Sequence, residues 1–434
     1  MRTILLAAGE MAHLAPDDGR QPLVGNAMSD RQALLHSPGM ALVIEDGMII
    51  RMAHTEEVCD EFVPDARLGS ARPVRITTTS IKAEVWDLAG AAVTPGFIDA
   101  HTHLIWSGDR SDEMRMRQSG MSYQQLAEAG GGIGRTTIAT RSESVDRLIE
   151  IGAERLDVAL RHGTTSLEAK SGYGLSTESE LALLEAAGAL NRRTGGQRLH
   201  LTWLGAHAVP DDMTRSDYID QMLAEQLPAV IEQGLAESCD VFCEEGWFTL
   251  EETESIVEAG LASGLGARLH VDEFSDSGGL ALAAEMCVAS ADHAVRSSFE
   301  ARAAASDAGV VQGFLPCTPY VLGSDHWPPI AEAIDNEWPW SLASDYNPNC
   351  RSISLPLAGS LAAHRLGIDP LAGLVAATRN PASTLPFEAD VGVLVQGGPA
   401  DLNVLTSDSV DGWCQTIGVS PCSHSMIDGI MTSH

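Results

Sequence analysis

The chain is predicted to be an α/β protein: a (β/α)₈ barrel carrying a small β-sandwich domain assembled from both termini. Three observations lead there. The middle of the chain alternates short apolar runs with helical patterns, the mark of βα units around a parallel sheet. Eight such runs fall between residues 93 and 344, which suits a closed barrel of roughly 250 residues better than an open doubly wound sheet. The two ends are β-rich and flank this middle.

In chain order, MRTILLAAGEMAH opens with an apolar run that Glu10 cuts short. It is too brief for a secretory leader and is expected to be a first strand. ALVIEDGMIIRMA reads as two strands joined at Asp46-Gly47, a dipeptide suited to a hairpin because both positions tolerate positive φ. The eight barrel strands are expected at Val93–Ala100, Thr164–Ala169, Leu199–Gly205, Cys239–Phe242, Ala267–Val271, Val288–Ala291, Val310–Leu315 and Trp338–Ser344. Ser144–Arg161 carries Leu148, Ile149, Leu156 and Leu160 near a helical period, and Gly163 supplies a stop. Gly130–Gly134 is expected to be a loop near the barrel mouth; it lacks the Gly-Lys-Ser/Thr of a phosphate loop. Val391–Leu405 is expected to form a second strand–turn–strand. The expected division is 1–94 and 386–434 for the β domain and 95–385 for the barrel.

Composition narrows the function. With 27 Lys and Arg against 60 Asp and Glu, the formal net charge is −33. Such a chain repels nucleic-acid phosphates and anionic membranes, so neither is an expected partner. Lys82 and Lys170 are the only lysines; an acidic, lysine-poor surface suggests salt adaptation. The eight cysteines form no CxxC pair, which points to reduced thiols in a cytoplasmic protein. No run is long and apolar enough to span a membrane.

In such a barrel the chemistry sits at the C-terminal ends of the strands. The first expected strand ends in Asp99, His101 and His103, the second in Lys170 and the third in His207. The fifth ends in His270 and is followed by Glu273, the sixth by His293 and the eighth by Asp345. On an extended backbone His101 and His103 face one side. An HxH alone usually marks two hydrogen-bonded surface histidines. Here the remaining donors recur at later strand ends, so a cage for Zn²⁺ or Fe is expected, with His270 and Asp345 as its natural completions. Glu273 is placed to take a proton without binding the ion, and His293 is the second candidate; singly, each could equally be a surface glutamate or a core histidine. Lys170, in Lys170-Ser171-Gly172-Tyr173-Gly174, is placed either for the site or for a structural ion pair.

The run Pro95-Gly96-Phe97-Ile98-Asp99-Ala100-His101-Thr102-His103 resembles the amidohydrolase superfamily. Within it the chain is similar to the imidazolonepropionase family, through HTHLIWSGDR (101–110), AGGGI (129–133), KSGYGL (170–175), LGAHAVP (204–210), VFCE (241–244), HVDEF (270–274), SADH (290–293) and SDYNP (344–348). The resemblance implies an amidohydrolase-type barrel and hydrolysis of 4-imidazolone-5-propanoate to N-formimidoyl-L-glutamate. It implies one Zn²⁺ or Fe held by His101, His103, His270 and Asp345, with Glu273, His293 and Asp345 catalytic. It implies substrate contacts from Arg110, Tyr173, His207 and Glu273, with Tyr123 and Asn347 nearby and further contacts at positions 349 and 350. There the family continues Asn-Pro-Gly and then Ser or Thr, whereas this chain reads Asn347-Pro348-Asn349-Cys350. Val271 replaces a usual alanine. A homodimer acting on a small molecule is expected. Two other readings compete. An aminohydrolase acting on another cyclic amidine draws support from Asn349-Cys350, while Arg110 and Tyr173 suit a carboxylate-bearing substrate better. A non-catalytic protein that kept the fold is opposed by the full ligand set and Glu273.

Overall fold

The computed structural model describes residues 2–17, 21–121, 125–126, 129–191, 195–387 and 390–434. Tyr123 lies outside them. The N-terminal strands are β1 (Arg2–Leu6), β2 (Met11–Ala12), β3 (Leu35–His36), β4 (Met40–Glu45), β5 (Met48–His54), β6 (Val74–Ile76), β7 (Glu84–Asp87) and β8 (Val93–Pro95). The barrel follows with β9 (Phe97–Asp99), β10 (Thr164–Lys170), β11 (Arg198–Ala206), β12 (Ser238–Cys243), β13 (Gly266–Val271), β14 (Ser290–His293), β15 (Val311–Phe314) and β16 (Trp340–Leu342). The chain ends with β17 (Leu402–Leu405), β18 (Cys422–Ile427) and β19 (Ile430–Ser433).

Two sheets make the terminal domain. One has the order β5-β4-β1-β7-β6; the other, β19-β18-β17-β8-β2-β3, interleaves strands from both ends of the chain. Leu42 and Ile44 of the first share a core with Leu402, Val404 and Met426 of the second, as expected where two pleated sheets each bury an apolar face. The β4–β5 hairpin turns at Asp46 and Gly47 with φ of 47° and 84°, the positive values its dipeptide favours.

β9 to β16 form one sheet in sequential order, each neighbour parallel. Its two edges meet through residues just beyond the first and last strands. Asp345 N–H donates to His101 O at 3.1 Å and His103 N–H to Tyr346 O at 2.8 Å, with a parallel bridge between Thr102 and Tyr346. Asp99 Oδ1 accepts the Ser344 N–H at 2.9 Å. Barrel closure thus sets Asp345 beside His101 and His103.

Several expected elements need correction. The run Val93–Ala100 is two strands in two sheets, β8 in the terminal domain and β9 in the barrel. Gly96 lies between them, where a Cβ would come within 2.1 Å of Thr165 Oγ1, so the chain can cross there only as glycine. The sixth barrel strand starts at Ser290, because Val288 N–H is taken by Ala283 O, closing the preceding helix. The eighth starts after Pro339, which has no N–H to give the ladder. In Val391–Leu405 only Leu402–Leu405 is a strand. Gly132–Arg141 is helical, not loop: Glu113 Oε1 accepts the Gly132 N–H at 3.0 Å and so satisfies the helix start. The Val145–Arg161 helix stands as expected, capped by Ser144 and stopped at Gly163, φ 86°.

Candidate metal and active site

The strand ends converge on one cavity. His101 and His103 sit beyond β9 on the same side, His270 is the fifth residue of β13, and Asp345 arrives across the seam. All four are buried. His270 Nε2 lies 3.3 Å from His103 Nε2, and Asp345 Oδ1 lies 3.7 Å from His101 Nε2 and 3.8 Å from His103 Nε2. Two nitrogens about 2.0–2.1 Å from one ion at tetrahedral angles stand roughly 3.3–3.4 Å apart, so this spacing suits a shared cation. His101 Nε2 is buried with no hydrogen-bond partner, a costly state that a cation would relieve. The donor atoms of His101, His103 and His270 lie within 4.8 Å of one another, as do those of His101, His293 and Asp345.

The ring orientations are built in. His101 Nδ1 is hydrogen-bonded to Asp292 Oδ2 at 2.7 Å, the usual carboxylate–histidine arrangement of metal sites, and His270 Nδ1 faces Asp240 Oδ2 at 2.9 Å as a close polar contact. Lys170 Nζ lies 2.5 Å from Asp240 Oδ2 and 2.8 Å from Glu168 Oε2. Arg268 Nε lies 3.0 Å from Glu168 Oε1. Lys170 is therefore an ion-pair residue beneath the histidines. Burial opposes ionisation of Asp240, yet the adjoining His270 and the Lys170 ammonium hold its pKa well below the usual range. Thr318 Oγ1 donates to Asp345 Oδ2 at 2.5 Å, steering the other oxygen toward the histidines.

Around this cluster the cavity is lined by Tyr173, His207, Phe242, Glu273, Phe274, His293, Asn347 and Asn349. His207 Nδ1 donates to Gly172 O at 2.8 Å, so its Nε2 is left to accept. Its ring stacks on His103 with centroids 4.9 Å apart. Burial, then His270, push its pKa down to about 3, so it is neutral. Glu273 Oε2 lies 3.8 Å from His293 Nε2. Burial, then the charges of Asp345 and Glu244, push Glu273 well above the carboxylate range. Burial pushes Asp99 up to about 7.

Two expected contacts stand apart from this lining. Arg110 is 5% exposed and is held by Glu113, with Nε and an outer nitrogen 2.9 and 2.8 Å from Glu113 Oε2. The Cys350 side chain is buried with Cys317 and Ala358, while its N–H and that of Asn349 donate to Asn347 Oδ1 at 2.9 and 2.8 Å. Asn349 Oδ1 accepts from Arg117, a guanidinium that sequence reasoning passed over. It also missed Glu168, Asp240, Arg268 and Asp292. A signal existed: Glu168 and Arg268 are charged residues two before Lys170 and His270 in strands of otherwise uncharged residues, a spacing that puts each pair on one face.

Comparison with known proteins places these features in company. Residues 92–420 match the Amidohydrolase family. The imidazolonepropionase of Symbiobacterium thermophilum is 39% identical over 408 residues, covering 93% of this chain and 91% of that protein. That of Haloarcula marismortui is 38% identical, covering 90% and 89%; that of Geobacillus kaustophilus is 41% identical, covering 88% and 86%. Among solved structures, an adenosine deaminase of Xanthomonas campestris with bound zinc superposes with a TM-score of 0.67 at 14% identity, covering 99% of this chain and 92% of that one. A triazine hydrolase variant gives 0.70 at 17% identity, covering 100% and 95%. At these identities the structural likeness speaks for the fold.

Proposed function

The chain belongs to the amidohydrolase family and, within it, to the imidazolonepropionases, and on that premise we propose how its cavity works. The enzyme hydrolyses 4-imidazolone-5-propanoate to N-formimidoyl-L-glutamate, a ring-opening step of histidine breakdown. One water is consumed and the ring bond between carbonyl carbon and nitrogen is broken. The observation that supports the site assignment most strongly is the closure of the barrel seam, which brings Asp345 to His101 and His103, the latter already against His270.

Those four residues would hold one Zn²⁺ or Fe, since three imidazoles and a carboxylate suit either ion. When bound, the ion supplies Lewis acidity that polarises the ring carbonyl and makes water nucleophilic at neutral pH. Glu273 takes the proton from the attacking water. It then gives that proton to the departing ring nitrogen. His293, 3.8 Å away, steadies the protonated carboxyl or passes the proton on. Neutral His207 offers Nε2 to a ring N–H, and Tyr173, packed edge-on to it with centroids 5.0 Å apart, walls the ring. Asn347 and Asn349 also line the cavity. By resemblance to the family Arg110 is assigned the propionate carboxylate, although its guanidinium is held by Glu113 outside the cavity lining. Cys350 acts through its backbone in the Asn347 turn. The enzyme is placed in the cytoplasm in this reading, in keeping with eight cysteines that are all free thiols. A homodimer completes it, and sedimentation velocity tests that part.

The direct experiment is to supply freshly prepared imidazolonepropanoate and follow the loss of its ultraviolet absorbance. Ring opening releases no ammonia; an aminohydrolase would. Ammonia formed in step with turnover would overturn the reading. Elemental analysis should return one ion per chain. Two ions, both needed for activity, would contradict the single-ion site.

A further inference from the structure

We propose that Glu244, the residue after β12, is a positioning residue that holds Glu273 in place for proton transfer; this rests on the role given to Glu273 above. Glu244 is 2% exposed, and its carboxylate faces the segment that carries Glu273. Glu244 Oε2 accepts the Phe274 N–H at 2.9 Å and the Ser275 N–H at 3.4 Å. Its Oε1 accepts the Ser275 hydroxyl and its own chain's Glu245 N–H at 2.9 Å. The barrel register explains the reach: Phe242 pairs with His270 and Cys243 with Val271, so the two segments leave the sheet side by side.

A second anchor fixes the other side of Glu273. Asp272 sits at φ 50°, a conformation that is unfavourable for a non-glycine residue and persists only where surroundings enforce it. Its carboxylate accepts the Gly279 N–H at 3.0 Å and the Ser297 hydroxyl at 2.5 Å, and its carbonyl accepts the Arg296 N–H at 2.9 Å. Asp272 thereby ties the segment to the loop that follows His293. With Asp272 before it and Glu244 behind it, Glu273 has little freedom to leave its 3.8 Å approach to His293. A buried carboxylate is the group required at 244 because only both of its oxygens, accepting together, can satisfy four donors. A catalytic group displaced by about 1 Å can lose about 10²-fold in rate.

The test is a double-mutant cycle on the metal-loaded enzyme, with kcat, KM and metal content measured for Glu244→Gln, Glu273→Gln and the pair. The amide introduced by Glu244→Gln turns a donor toward the segment's own N–H groups, so kcat should fall about 10- to 100-fold with KM and metal content little changed. In the Glu273→Gln background the same change should cost almost nothing, because its route runs through Glu273. Equal losses in both backgrounds would overturn the proposal. Ser275→Ala, which removes one hydroxyl donor, gives the same cycle in milder form should Glu244→Gln fail to fold. If the wild type does not open imidazolonepropanoate, the proposed function fails by itself. The anchor is then decided by amide exchange: faster exchange at Phe274 and Ser275 in Glu244→Gln supports it, and unchanged exchange overturns it.

Discussion

Asp240 holds His270: its Oδ2 lies 2.9 Å from His270 Nδ1, while Lys170 Nζ lies 2.5 Å from the same oxygen. The cavity-facing Nε2 of one proposed metal ligand is thus set by a carboxylate from the neighbouring strand. Asp240→Asn keeps an acceptor for the imidazole but removes the charge opposite Lys170. Metal affinity should fall about 10- to 100-fold, the usual effect of losing such a partner. Melting temperature should fall too, because Lys170 is left with Glu168 alone in a buried site. Competition with a chelator measures the first effect and calorimetry the second; unchanged affinity would detach Asp240 from the metal.

Glu273→Gln should leave metal content intact and lower kcat about 10²- to 10⁴-fold, the usual range for a lost acid–base group. A variant with near-normal kcat would pass the role to His293.

Arg110→Met should lower kcat/KM by roughly 10- to 150-fold, corresponding to a charge-assisted hydrogen bond of about 1.5–3 kcal/mol. It should also destabilise the fold, because Glu113, 1% exposed, loses its ion-pair partner. An imidazolone analogue without the carboxylate supplies the control, since variant and wild type should process it equally. Equal impairment on both substrates would show that the carboxylate is read elsewhere, with Arg117 on Asn349 the next guanidinium to test.

His13 gives an acid-sensitive contribution to stability. Burial, then the neighbouring His36, lower its pKa to about 4, with the two ring centroids 4.6 Å apart. Unfolded, it returns to the ordinary 6.5. Between those values the unfolded chain binds more protons, so stability is full above pH 6.5 and falls as pH drops toward 4. His13→Asn, whose side-chain oxygen can still accept the Ala15 N–H, should show a shallower fall in melting temperature across that window. Parallel curves for variant and wild type would exclude His13.

The net charge of −33 predicts a gain in melting temperature between 0.1 M and 1 M salt, as the screening length drops from about 10 Å to about 3 Å. A melting temperature that falls over this range would contradict self-repulsion as a stability cost.

By itself the sequence determined the barrel, the β domain built from both ends and the identity of the strand-end donors. These are local signals: apolar runs of strand length, a hairpin dipeptide at Asp46-Gly47, and His101 and His103 two apart. What only the tertiary structure decided is which of those donors meet, and what holds them. The seam that carries Asp345 to His101 joins the first and last barrel strands, and no local pattern encodes that closure. The partners of the histidines, Asp240 and Asp292, come from strands four and six. In sequence each is a lone carboxylate within a short strand; they acquire meaning only when the closed barrel sets Asp240 against His270 and Asp292 against His101. Cys350 shows the converse. Its place in a family motif suggested a substrate contact, but the turn made by Asn347 points its side chain into the apolar cluster with Cys317. Side-chain direction in a loop is set by the hydrogen bonds that close it, and those are made only on folding.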